Sequence, residues 1–124
     1  MDKSFLIEPT DCTPRVVLNA DSKSLLIEGE SFPENVRDFY EPVVAKVEEY
    51  LRSSDSLEVQ FDLRYFNTSS SKTILDFLEM LESHFDEGKS VRVVWLYKEG
   101  IEVMQENGED FADDLRIPFE LKSY

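Results

Sequence analysis

The stretch VQFDLRYFNTSSSKTILDFLEML (Val59–Leu81) constrains the fold most, because it joins a strand pattern to a helix pattern through one short polar turn. Apolar and polar residues alternate over Leu57–Leu63, which is typical of a strand with one wetter face. Over about Ser69–Phe85 the apolar residues instead recur every three or four positions, which predicts an amphipathic helix. Four consecutive hydroxyl residues, Thr68–Ser71, lie between the two patterns. The sequence therefore predicts a strand–turn–helix unit.

Short β-prone runs predict the remaining strands, at Ser4–Ile7, Arg15–Asn19, Ser24–Glu28, Ser90–Tyr97 and Ile117–Leu121. The second and third of these runs flank a polar four-residue turn, which predicts a β-hairpin. Pro118 limits the last run to an edge strand or to a strand start, because proline has no amide proton to donate. The segment Gly29–Asn35 is predicted to be a loop that leads into the first helix.

Two further helices are predicted, and each contains a residue that disfavours a helix. The first ends near Arg52, and Pro42 interrupts its apolar pattern. Because proline is tolerated in a first turn and costly deeper in a helix, we expect a brief opening turn and a main helix that begins near Glu41. A single kinked helix is the alternative. The third helical pattern lies in the acidic segment Glu99–Asp114, where Gly108 should weaken the helix by about 1 kcal/mol relative to alanine.

Strands that alternate with helices require crossover connections, and right-handed crossovers make successive strands parallel. The predicted fold class is therefore α/β, with a mixed β-sheet, an N-terminal hairpin and crossover helices in one domain over residues 1–124. A chain of 124 residues is long enough to bury a core without metal or disulfide support. Cys12 is the single cysteine, so no intrachain disulfide can form.

The ends and the charge of the chain limit its surroundings and its partners. The N-terminus lacks the pattern of a secretory signal, and no apolar run approaches the roughly 20 residues that span a bilayer. We therefore expect a soluble, cytoplasmic protein without membrane insertion. The formal net charge of −14 would repel phosphate backbones and anionic lipids, so a nucleic-acid partner is not expected. Such a charge keeps a protein soluble, or it steers in a partner with a basic surface.

The hydroxyl turn allows two interpretations. Thr68 or Ser69 can cap the following helix by accepting a hydrogen bond from its first amides, which is worth about 1 kcal/mol. One cap needs only one hydroxyl, however, and this turn has four beside Asn67. A phosphate of charge about −1.5 to −2 would also face the positive end of the helix dipole there. The turn is therefore either a simple cap or a phosphorylation site.

Enzyme chemistry has little support in the sequence, and we expect no enzymatic activity, cofactor or metal. His84 is the single histidine, and Cys12 lies in a proline-flanked segment without a nearby histidine. Neither phosphate-binding motif, G-x-x-x-x-G-K-[ST] or G-x-G-x-x-G, is present. The acidic cluster at Glu109–Asp114 lacks the spacing of a calcium-binding loop. It is interpreted as a solvated surface that can face a partner.

The run D-L-R-Y-F-N-T-S-S-S-K (Asp62–Lys72) resembles the signature of the SiaC-type regulatory phosphoproteins, a bacterial family linked to biofilm regulation. The resemblance extends to G-E-S-F-P-E-N (Gly29–Asn35), to W-x-Y (Trp95–Tyr97) and to the closing segment from Gly108 to Phe119. It therefore covers nearly the whole chain. A looser architectural likeness is to STAS domains, the anti-sigma-factor antagonists, which carry a phosphorylatable residue at a helix start.

The resemblance implies a threonine switch with Thr68 as the phosphoacceptor. In the SiaC-type family, a dedicated Ser/Thr kinase phosphorylates this threonine and a PP2C-type phosphatase removes the phosphate. The unphosphorylated protein activates a diguanylate cyclase and so raises cyclic di-GMP. Roles in the motif or in partner recognition fall to Tyr65, Asn67, Ser69, Ser70 and Lys72. Two alternatives stay open: a partner-switching protein like the anti-sigma antagonists, and a small binding module in which Thr68 only caps a helix.

Overall fold

A computed structural model describes residues 3–124. In this part of the chain, six strands and three helices follow one another in one order. They are β1 (Phe5–Ile7), β2 (Arg15–Asn19), β3 (Ser24–Ser31), α1 (Val36–Arg52), β4 (Ser56–Phe66), α2 (Thr68–Asp86), β5 (Ser90–Tyr97), α3 (Glu102–Asp113) and β6 (Phe119–Ser123).

The strands form one mixed sheet in the order β1-β2-β3-β4-β5-β6. β2 pairs antiparallel with β1 and β3, whereas β3 to β6 are parallel, so the predicted hairpin and crossovers are confirmed. Each crossover moves one strand further in the same direction, and right-handed crossovers then place all three helices on one face of the sheet. From Leu57 to Leu63 the apolar residues of β4 are accordingly buried, while the polar residues between them, on the other face, are only half-buried.

The core beside β5 is built around the indole of Trp95, which is almost fully buried. Four phenylalanine rings have their centroids 5.5 to 6.3 Å from it: Phe61, Phe66, Phe111 and Phe119. The indole N–H of Trp95 donates to the backbone oxygen of Met104 at 2.9 Å. Aromatic pairs of this kind add roughly 0.5–1.5 kcal/mol beyond the burial of their area. The indole therefore joins β4, α3 and β6 to β5.

The first helix differs from the prediction, because α1 is one helix that begins at Val36 and contains Pro42. The expected opening turn before Glu41 is wrong, because α1 is continuous across Pro42, as in the alternative of a single kinked helix. The kink itself stays a prediction. Asn35 caps the helix, since its Oδ1 accepts the Asp38 amide at 3.1 Å. The cap and the buried side chains on both sides of Pro42 outweigh the one backbone hydrogen bond that a proline cannot donate.

The strands β3 and β4 run further than predicted, so Gly29, Glu30 and Ser31 belong to a strand and not to a loop. The pairing register of β3 with β4 shifts between Gly29 and Glu30, because Gly29 pairs with Leu63 but Glu30 pairs with Tyr65. Gly29 has a φ of +122°, a conformation that side chains disfavour. A bulge of this type redirects side chains. Here it turns Phe66 into the core and leaves Tyr65 outside.

The last strand begins at Phe119, two residues later than predicted. Its pairing with β5 starts at Val93, and the Val93 amide donates to the Pro118 oxygen at 2.9 Å. Proline can accept this bond but cannot donate a ladder bond, which explains the later start. None of the helices within residues 3–124 has the length and apolar character needed to cross a bilayer.

Candidate functional site

The hydroxyl turn, Thr68–Ser71, lies at the end of the sheet where the parallel strands reach their carboxyl termini and the helices begin. β4 ends at Phe66, and Asn67 caps α2. Asn67 Oδ1 accepts the Ser70 amide at 2.9 Å, and the Asn67 backbone oxygen accepts the Ser71 amide at 2.9 Å. The interpretation in which Thr68 or Ser69 caps the helix is therefore wrong, because the extended backbone of Asn67 brings its carboxamide to the third helical amide. Thr68 is the first helical residue.

The four hydroxyl residues of the turn differ in exposure. Thr68 is exposed, and its hydroxyl makes no hydrogen bond to any residue between 3 and 124. Ser69 is also exposed, and its hydroxyl donates to Asn67 Oδ1 at 3.3 Å. Ser71 is half-buried, whereas Ser70 is fully buried. A direct contact of the Ser70 hydroxyl with a partner, as the motif suggested, conflicts with this burial.

Ser70 instead forms its hydrogen bond toward the protein interior, with groups for which the sequence predicts no role. Its Oγ accepts from the Ser31 hydroxyl at 2.9 Å, and Ser31 Oγ lies 2.7 Å from Tyr40 Oη. All three residues are buried. Burial raises the pKa of Tyr40 to about 12, and the hydrogen bond with Ser31 opposes part of this rise. Ser31 belongs to the Gly29–Asn35 segment and Tyr40 to no motif, and no local pattern links either of them to Ser70, which lies 39 and 30 positions further along the chain.

An exposed aromatic pair lies at the same end of the sheet, where the parallel strands reach their carboxyl termini. The ring centroids of Phe32 and Tyr65 are 5.7 Å apart, in an edge-to-face arrangement. Phe32 is 38% exposed and Tyr65 is 48% exposed, because the bulge in β4 directs Tyr65 outward. Tyr65 was predicted to recognise a partner, whereas no such role was predicted for Phe32. The signal that could have identified Phe32 is its place in the segment Gly29–Asn35, which the family motif contains.

The charges near the turn favour an added anion. The first turn of α2 contains no acidic residue, whereas α1 has Asp38 and α3 has Glu102 at this position. The positive end of the α2 dipole is therefore not matched by a side chain of its own first turn. Lys72 is exposed and lies four residues after Thr68, on the same side of the helix. A charged group on Thr68 would have amide dipoles and one cation within reach.

A groove of about 860 Å³ runs between α1 and α2 beside this turn. Lys72 and Thr73 line it from the first turns of α2, and Tyr40, Val44 and Phe77 are among its apolar walls. The groove continues along α1 as far as Arg52. A partner that reaches Thr68 can therefore also contact the paired helices.

The geometry offers little for catalysis. His84 lies in the last turn of α2, about 24 Å along the helix from Thr68 at 1.5 Å per residue. Among the side chains of residues 3–124, no group of three or more His, Cys, Asp or Glu is arranged to hold a metal ion. Cys12 is a free thiol, and its sulfur lies 3.8 Å from the hydroxyl of Thr10. Neither His84 nor Cys12 is part of the hydroxyl turn.

Comparisons with known proteins agree with this geometry. The model of the SiaC family of regulatory phosphoproteins matches residues 7–124. An uncharacterised protein of Pseudomonas aeruginosa (strain UCBPP-PA14) is 32% identical over 119 residues, which cover 95% of this chain and 94% of that protein. The solved structure of SiaC of Pseudomonas aeruginosa has a TM-score of 0.90 at 30% identity, with 98% of each chain covered. SiaC in complex with the diguanylate cyclase SiaD, which it activates, has a TM-score of 0.91 at 31% identity, with 97% of this chain and 99% of that chain covered.

Proposed function

We propose that this chain, which belongs to the SiaC family of regulatory phosphoproteins, is a non-enzymatic switch that is phosphorylated at Thr68. The observation that carries the proposal is the exposed Thr68 hydroxyl, which has no hydrogen-bond partner within residues 3–124 and begins a helix without acids in its first turn. A structural hydroxyl in such a turn would be expected to cap the helix, but Asn67 already does so. The Thr68 hydroxyl therefore remains free for modification.

The proposed client is a diguanylate cyclase, bound and activated by the unmodified chain. The similar SiaC of Pseudomonas aeruginosa is the activator of the cyclase SiaD and forms a complex with it, which supports a partner of this class. A Ser/Thr kinase would add the phosphate and a PP2C-type phosphatase would remove it. Because kinases use ATP, the proposed switch operates in the cytoplasm. Asn67 would fix the turn, while Ser69 and Lys72 would contact the partners.

The proposed switch acts locally. Unmodified, the exposed turn, the aromatic pair of Phe32 and Tyr65, and the adjoining helix groove form one docking surface. A phosphate on Thr68 brings charge and bulk into the middle of that surface. A partner that closes over the turn would have to remove water from the phosphate, which is unfavourable without a matching cation.

We expect phosphate on Thr68 when the chain is isolated from its native cells in the presence of phosphatase inhibitors. Phosphopeptide mapping of the wild-type chain tests this directly. Thr68→Ala should lose the modification, since no other hydroxyl in the turn is both exposed and without a hydrogen bond to residues 3–124. Thr73→Ala is the matched control, because Thr73 lies on the same helix but its hydroxyl donates to the Ser69 oxygen at 3.1 Å. Phosphate that persists in Thr68→Ala and disappears from another variant would contradict the assignment.

We expect Tyr65→Ala to weaken binding of the partner by about 10- to 100-fold, because buried tyrosines at interface centres commonly contribute 1–3 kcal/mol. Phe32→Ala should have a similar effect, and the double variant should cost less than the sum because the two rings contact each other. Calorimetric titration with a diguanylate cyclase of the same organism measures the affinities. Leu6→Ala is the matched control, since Leu6 is 51% exposed but lies on the edge strand β1, two strands away from β3. Equal losses in all three single variants would contradict a specific surface.

A further inference from the structure

Three buried hydroxyl groups, those of Tyr40, Ser31 and Ser70, form a hydrogen-bond chain beneath the acceptor turn (the hydroxyl turn, Thr68–Ser71). Each bond in this chain has a defined donor. The Ser31 hydroxyl donates to Ser70 Oγ at 2.9 Å. Because a hydroxyl has a single proton, the 2.7 Å contact between Ser31 Oγ and Tyr40 Oη must then be one in which Tyr40 donates. Burial keeps the pKa of Tyr40 at about 12, so the phenol retains this proton at physiological pH. The chain thus runs from α1 through the end of β3 into the first turn of α2.

Ser31 also holds the acceptor turn through its backbone. The Ser31 carbonyl oxygen accepts the Asn67 amide at 3.1 Å. Asn67 in turn accepts the Ser70 amide on its side chain. Ser31 therefore anchors the residue before Thr68 and the residue after Ser69, while the two hydroxyl residues between them remain exposed.

We propose that the chain Tyr40–Ser31–Ser70 selects the phosphoacceptor, by holding Ser70 inward and presenting Thr68. The proposal rests on the proposed function of Thr68. Phosphoryl transfer forms a bond from the acceptor oxygen to the γ-phosphorus of a nucleoside triphosphate and breaks the bond to its β–γ bridging oxygen. The hydroxyl proton passes to a base of the kinase, and the nucleoside diphosphate leaves. Ser70 has the same chemistry as its neighbours, but its fully buried hydroxyl cannot meet this geometry. Ser31 and Tyr40 are therefore positioning residues.

Hydrogen exchange of the backbone amides tests whether the chain holds the turn. Ser31→Ala leaves two buried hydroxyls without a partner, so the Asn67, Ser70 and Ser71 amides should exchange about tenfold faster than in the wild type. Tyr40→Phe keeps the ring and removes one donor, and about threefold faster exchange is expected. Thr68→Ala is the control, because the Thr68 hydroxyl makes no hydrogen bond within residues 3–124, and exchange at these three amides should not change. Unchanged exchange in both Ser31→Ala and Tyr40→Phe would overturn the proposal.

Phosphopeptide mapping in the native cells tests the selection itself. Thr68→Ala should carry no detectable phosphate on Ser70. Thr68→Ala combined with Tyr40→Phe or with Ser31→Ala should carry phosphate on Ser70 at a level at least about tenfold above the detection limit. Phosphate on Ser70 in Thr68→Ala alone would overturn the proposal. Its absence from the combined variants, despite faster exchange, would do the same. If the wild type carries no phosphate on any hydroxyl of the turn, the proposed function fails, and the exchange result alone then decides whether the chain holds the turn.

Discussion

Phosphate on Thr68 is expected to lower the affinity for a diguanylate cyclase at least about 100-fold, while Thr68→Ala should stay within about threefold of the wild type. The phosphate adds a charge of about −1.5 to −2 to a chain whose net charge is already −14. The α2 amides and Lys72 offset only part of this charge, so its burial against a surface that supplies no cation costs several kcal/mol, which corresponds to two or more powers of ten in Kd. Removing the threonine methyl and hydroxyl groups takes away only a small contact. The loss of affinity should therefore come from the added charge and not from a change of the threonine side chain itself.

A measurement of the stability of the phosphorylated chain distinguishes a direct loss of affinity from a loss caused by unfolding. The phosphate would lie in the first turn of α2, which has no acid of its own, and one turn before Lys72. Anions at this position typically stabilise a helix by about 0.3–1 kcal/mol. The Tm of the phosphorylated chain should therefore be unchanged or raised while binding is lost. Chain with phosphothreonine incorporated at position 68 allows both measurements. Chain with phosphoserine at position 83 is the control for binding, because Ser83 is exposed in the last turn of the same helix and does not line the groove. A phosphorylated chain that binds as well as the wild type would contradict the switch.

Much of the fold could be predicted because its signals are local. The period of two in β4 and the period of three to four in α2 each come from residues close in sequence, and the helix start at Asn67 to Ser69 follows from residue type. The exact cap was missed because asparagine and the hydroxyl residues all favour this position. Only the hydrogen bond between Asn67 Oδ1 and the Ser70 amide decides among them.

The features that escaped prediction depend on residues far apart in the chain. The bulge that extends β3 and β4 requires Gly29 to meet Leu63 across the sheet, and it decides that Phe66 is inside and Tyr65 outside. Alternation alone would have continued from Leu63 to Tyr65 on the core face. The sequence motif could therefore identify Thr68 as the acceptor candidate. It could not show that Ser31 and Tyr40 hold its turn.

Gly108→Ala is expected to destabilise the fold by about 1–3 kcal/mol, although alanine favours a helix by about 1 kcal/mol over glycine. Gly108 is buried inside α3, and a Cβ there would lie 2.7 Å from Trp95 Nε1 and 2.9 Å from Trp95 Cγ. The indole cannot move away freely, because phenylalanine rings surround it and its N–H donates to the Met104 oxygen. Helix propensity alone therefore predicts the wrong sign for the change in unfolding free energy at this position. Thermal unfolding should show a Tm lower by roughly 3–15 °C. Urea unfolding should show a lower midpoint concentration.

Glu106→Ala is the matched control for Gly108→Ala, since Glu106 is exposed on the same helix and its replacement should change stability by no more than about 0.5 kcal/mol. A double-mutant cycle with Trp95→Phe tests the cause. Trp95→Phe alone should destabilise, but in its presence Gly108→Ala should cost less, because the smaller ring leaves room for the Cβ. The ring of Trp95 also contacts Phe66, which directly precedes Asn67, so Gly108→Ala should speed amide exchange at the acceptor turn. A rise in Tm in Gly108→Ala would contradict the packing argument.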